Sequence, residues 1–198
     1  MEEIIKQGQN TNLTKLNLNY DGHMDGEEGV ENYLKIVEEK IGFIPNVLAA
    51  FAKFPKQFEG FTKLYNSLML GESGLTKLER EMIAVTVSSE NHCFYCLVAH
   101  GSAVRELSND PQLGERIAAN FKSAELPRKQ EELLNFARQL TRDPSEIGED
   151  QRKKLKDVGY TDRDIWDISA IVGLFNMTNR LASATEMEPN SNYHNIAR

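Results

Sequence analysis

LEREMIAVTVSSENHCFYCLVAH, Leu78 to His100, holds both cysteines of a 198-residue chain and one of its four histidines. Its first half carries Met82, Ile83, Val85 and Val87, so a helix over it must be mostly buried. Thr76 and Glu79 form a capping-box pair at its start: the hydroxyl accepts from the third helical amide while the carboxylate reaches back. The second half opens a further helix, from about Cys93 to Leu107. SSENH between them predicts a hairpin that lays the second helix back along the first.

That hairpin brings four reactive side chains to one level. Cys93 and Cys96 are spaced i, i+3, so their sulfurs face each other across one helical turn, close enough for a disulfide without large backbone movement. A helix N-terminus lowers a thiol's pKa because orphan amides favour the thiolate. His100 follows Cys96 by four residues on the same face, where an imidazole can accept a thiol proton or stabilise the thiolate. Glu81 comes level with Cys96 and His100 and can orient and polarise the imidazole. The residues alone leave a second reading of Glu81, a solvated face shared with Glu79 and Arg80. They also leave two other readings of the sulfurs: inert packing, or zinc bound by Cys93, Cys96 and His100 with His92 or water. The second pair of zinc ligands usual in structural sites is not visible in the sequence.

Outward from the hairpin, the helical period dominates. Val30, Tyr33, Leu34, Val37 and Ile41 mark one amphipathic helix, ended by Gly42 and Pro45, and NVLAAFAKF a short second one. Pro55 starts a third, with Phe58, Phe61, Leu64, Tyr65 and Leu68 on one face. Pro111 starts a short helix and Pro127 precedes another, with Leu133, Phe136, Ala137 and Leu140 inside. EDQRKKLKDVG ends on Gly159, a left-handed cap. Thr161 and Asp164 cap the last helix, which is apolar on nearly every side from Ile165 to Phe175. Trp166 is assigned to core or interface, and Asn176, Asn179 and Arg180 to ties between helices or subunits.

The fold class is all-α, a bundle of about eight or nine helices in one domain over residues 29–198. Residues 1–28 read as an extended arm able to lie over a neighbour. The wide apolar arcs favour a homo-oligomer.

Composition narrows the partners. A net charge of −7 argues against nucleic acid or an anionic membrane. The N-terminus has no secretory pattern and no apolar run is long enough to span a bilayer, so a cytoplasmic location is expected. A close cysteine pair in a reducing compartment is catalytic or metal-binding more often than structural.

EREMIAVTVSSENHCFYCLVAH resembles the active-site segment of the alkylhydroperoxidase D-like group of the carboxymuconolactone decarboxylase superfamily. That pattern, Glu, eleven residues, CxxC, three residues, His, is matched without a gap by Glu81, Cys93, Cys96 and His100. PNVLAAFAKFPKQFEGF, LLNFARQLTRDP and FNMTNRLASA extend the likeness to its peroxidase-related branch. Tyr95 is a departure, since some members carry a histidine there. The resemblance implies an all-helical trimer or hexamer that reduces hydroperoxides through thiols, with no metal or organic cofactor. Cys96 is then the attacking thiolate, activated by His100 and Glu81. Cys93, at the more exposed helix start, resolves the sulfenic acid to a disulfide. A dithiol donor, lipoyl or thioredoxin-like, reduces it again. The alternatives are a disulfide reductase or adaptor for a separate peroxidase, a decarboxylase-type enzyme, and a non-catalytic oligomeric binding protein.

Overall fold

In a computed structural model of the chain, the described residues are 13–16, 18 and 27–198. They form nine α-helices and no strand: α1 Glu27–Ile41, α2 Asn46–Phe51, α3 Pro55–Tyr65, α4 Lys77–Glu90, α5 Phe94–Ser108, α6 Leu113–Asn120, α7 Arg128–Arg142, α8 Glu149–Asp157 and α9 Asp162–Ala184. No helix among them is long and apolar enough to cross a membrane. The expected arm, residues 1–28, falls largely outside the described residues. The part that is described lies along its own chain's C-terminal segment: Lys15 N–H donates to Thr185 O at 2.9 Å and Glu188 N–H to Leu13 O at 3.4 Å.

α4 is the axis of the bundle. Met82, Ile83, Ala84, Val85 and Val87 are all buried, because α5, α7 and α9 pack around it. Both capping boxes form, Thr76 with Glu79 and Thr161 with Asp164, and fix where α4 and α9 begin. Gly159 takes the left-handed conformation at φ +94°, a region that penalises any side chain with a Cβ.

Three apolar positions depart from the pattern reading. Ile41 and Leu64 are exposed at the ends of their helices, and Trp166 is 72% exposed. Trp166 lies between Ile165 and Asp167, both buried, because each residue turns the helix by about 100°. α9 is thus apolar all round by composition yet has one outer face, carrying Trp166, Met177 and Leu181. The rest of its apolar surface is covered within the one chain, as is that of α4.

α5 and α6 approach at two glycines. A Cβ added at Gly114 would meet Gly101 O at 2.7 Å and Gly101 Cα at 3.2 Å, backbone that cannot step aside cheaply. Gly114→Ala is therefore expected to destabilise the protein by about 1–3 kcal/mol, read as a lower Tm. Gly60→Ala, where the added carbon meets nothing, should be neutral or slightly stabilising.

Candidate active site

α4 stops and α5 starts within three residues. His92 N–H donates to Ser89 O at 3.1 Å and Cys93 N–H to Ser88 O at 3.0 Å. His92 sits at φ +52°. These are the two bonds and the left-handed residue of a Schellman cap. Cys93 then serves as N-cap of α5, its carbonyl accepting from Leu97 N–H at 2.9 Å. Exposed His92 is a turn residue. One cysteine thus belongs to the end of one helix and the start of the next.

This turn presents the sulfurs inward. Cys93 Sγ and Cys96 Sγ are 2.7 Å apart as free thiols, within reach of a shared proton. Cys93 is 1% exposed and Cys96 3%. The helix start was expected to leave Cys93 more open; Ala182 and Met187, with Tyr193 beside them, cover it. One turn beyond, His100 Nδ1–H donates to Glu81 Oε2 at 2.7 Å. Their side chains are 15% and 13% exposed. The His100 ring meets the Phe175 ring edge-on with centroids 4.6 Å apart, which fixes its plane. With Nδ1 committed to the carboxylate, Nε2 is the nitrogen left to exchange a proton.

The solvated-face reading of Glu81 does not hold, because its neighbours are buried too. Glu79 accepts from Thr76 and from the Tyr160 hydroxyl at 2.7 Å. The Arg80 guanidinium donates to Leu75 O and Leu68 O. Among the described residues, no three His, Cys, Asp or Glu side chains are grouped to hold a metal ion.

Residues 55–118, which include all four of these side chains, match the model of the carboxymuconolactone decarboxylase family. An uncharacterized peroxidase-related protein from Silicibacter sp. TM1040 is 50% identical over 97% of this chain and 100% of that one, with a TM-score of 0.90. The chain belongs to this superfamily as an alkylhydroperoxidase D-like member. An uncharacterized peroxidase-related protein from Ralstonia eutropha JMP134, described as an alkylhydroperoxidase AhpD core, is 34% identical over 94% and 97% of the two chains, with a TM-score of 0.88. The debrominase Bmp8 shares the fold at 18% identity, with a TM-score of 0.73 over 95% of this chain and 97% of that one. No curated protein matches.

In this alkylhydroperoxidase D-like site the thiols titrate as a pair. Cys93 is lowered to about 7, chiefly because the Cys96 thiol hydrogen-bonds to it. Burial opposes that shift, while the Cys96 amide, the Ser183 hydroxyl and the His100 charge assist it. Cys96 is pushed up, first by its bond to Cys93 and then by burial, with the Asn179 and Ser88 side chains pulling the other way. The pair therefore holds one proton and one negative charge near neutral pH.

Tyr95, at the position of the departure, is buried against the sulfurs. Its hydroxyl oxygen accepts from Val47 N–H at 3.0 Å and its O–H donates to Tyr193. Burial pushes both phenols up. The pattern reading missed Ser88, Ser183, Met187 and Tyr193 as neighbours of the sulfurs. It placed Asn179 among structural ties, although Asn179 and Ser183 are polar at i, i+4 on an apolar helix, and that spacing was a usable signal.

Proposed function

We propose that the protein is a thiol-dependent hydroperoxide reductase with an antioxidant role. The observation that carries this reading is the 2.7 Å thiol pair one turn from a buried His100–Glu81 pair. Passing the shared proton to Cys93 leaves the charge on Cys96, which attacks the terminal oxygen of the hydroperoxide. The O–O bond breaks, Cys96 becomes a sulfenic acid, and the leaving alkoxide takes a proton from His100. Cys93 then attacks the sulfenic sulfur, water leaves, and a Cys93–Cys96 disulfide remains. A dithiol donor, a lipoyl group or a thioredoxin-like protein, reduces it by exchange. The net reaction consumes one hydroperoxide and one dithiol and yields an alcohol, water and a disulfide.

The apolar surroundings, Ala50, Ala99, Ala182 and Met187, suit an organic hydroperoxide better than hydrogen peroxide. The outer face of α9, with Trp166, Met177 and Leu181, is the surface we assign to a homo-oligomer contact.

The test is purified, reduced protein given cumene hydroperoxide with dihydrolipoamide or reduced thioredoxin. Peroxide loss with a Cys93–Cys96 disulfide by mass spectrometry is the expected result. No disulfide under oxidant would sink the redox reading. A disulfide without turnover would make the protein an adaptor that recharges a separate peroxidase.

A further inference from the structure

The polar side chains of α9 form a chain that runs from the surface to the sulfurs. At its outer end the Arg180 guanidinium donates through Nη1 to Asn176 Oδ1 at 2.7 Å. A guanidinium can only donate, so Asn176 must turn its oxygen toward it. Asn176 Oδ1 also accepts from Asn91 Nδ2 at 3.1 Å, and Asn176 Nδ2 donates to Val172 O at 3.0 Å. Asn91 Nδ2 reaches Asn179 Oδ1 at 3.0 Å, so Asn179 in turn is held with its oxygen toward Asn91. Its amide nitrogen is therefore the end that faces inward. Nδ2 donates to Ser88 Oγ at 3.1 Å, while Ser88 gives its own proton to Ala84 O at 2.7 Å.

Asn179 is 0% exposed, and an amide in that position is retained only where its hydrogen bonds are made. One N–H is spent on Ser88. Cys96 lies beside the same amide and the same serine, so the second N–H has the Cys96 sulfur before it.

We propose that Asn179 is a positioning residue that draws the pair's single negative charge onto Cys96, its amide orientation being set from the surface through Arg180, Asn176 and Asn91. Two sulfurs sharing one proton differ in reactivity only through what surrounds each. Cys93 has the Ser183 hydroxyl and the Cys96 amide; Cys96 has the Asn179 amide. This deepens the peroxidase reading, because it names what makes Cys96 the attacking sulfur. The other titratable groups facing Cys96 are Cys93, His100 with Glu81, and the Tyr95 and Tyr193 phenols. None is altered by replacing Asn179.

The experiment isolates each thiol and needs no peroxide. In a Cys93→Ser background the rate of iodoacetamide alkylation against pH reports Cys96 alone; in a Cys96→Ser background it reports Cys93 alone. Asn179→Leu, close in shape but without donors, is expected to move the Cys96 midpoint up by about one pH unit, an alkylation rate near neutral pH about tenfold lower. The Cys93 midpoint should stay in place. An unmoved Cys96 profile, or equal movement of both, overturns the proposal, since a merely structural role would disturb the two alike. If Asn179→Leu does not fold, Asn91→Ala at the partly exposed turn frees the Asn179 amide and should move Cys96 in the same direction by about threefold in rate. No movement there is equally fatal. Should wild-type protein fail to turn over peroxide while the shift holds, the peroxidase reading falls and the positioning role stands.

Discussion

Cys96→Ser is expected to lower peroxide turnover by more than about 10³-fold, because the variant has no nucleophile to attack the O–O bond. Cys93→Ser should lose steady-state turnover to the same extent for a different reason. It can attack once but cannot resolve, so one equivalent of peroxide is consumed and a sulfenic acid accumulates at Cys96. Dimedone trapping followed by mass spectrometry reads the difference directly. Trapping in Cys96→Ser and none in Cys93→Ser would exchange the two roles while leaving the pair intact. The 2.7 Å separation of the sulfurs makes the resolving step fast in the native protein, so little sulfenic acid should be trapped there.

His100→Ala is expected to cost about 10² to 10⁴ in kcat/KM, the usual range for a positioned proton-transfer group. Its pH profile carries the stronger test. In the native protein the rate should climb as pH rises through about 7, where the first proton leaves the thiol pair. The His100 charge is one of the effects that lowers that value, so its removal must move the rise to higher pH. A fall in rate with no movement of the profile would assign His100 to structure. The variant also leaves the Glu81 carboxylate, 13% exposed, without its partner, a cost of about 1–3 kcal/mol in stability. Glu81→Gln should lower kcat/KM by about 10²-fold while keeping the hydrogen bond in altered form, and comparison of the two variants separates orientation from charge.

Much of this was legible before any coordinates. The capping residues Thr76, Glu79, Thr161 and Asp164 lie where the structure starts α4 and α9, because a cap is a local interaction between near neighbours. The hairpin was legible too, since two apolar helices joined by SSENH have little choice but to pack together. What could not be read was long-range. Nothing local tells that Glu79 meets Tyr160 or that Tyr193 closes over the sulfurs, so Cys93 was expected near solvent and is found under a cover. Composition alone could not divide the faces of α9 either: Trp166 and Ile165 are adjacent apolar residues, and only the packed partners decide which is wet.

The doubly committed backbone of Cys93 has a kinetic consequence. Its amide closes the cap of α4 and its carbonyl opens the ladder of α5, so neither helix has to give way when the sulfurs join. Oxidation by a small molecule is then a matter of side-chain torsion. Re-reduction is not symmetrical with it, for a macromolecular donor must bring its own sulfur to atoms lying beneath Met187 and Tyr193. The two halves of the cycle place opposite demands on the same few residues. The slow half, and the one that sets how quickly the protein is ready for its next peroxide, is the return to the reduced state.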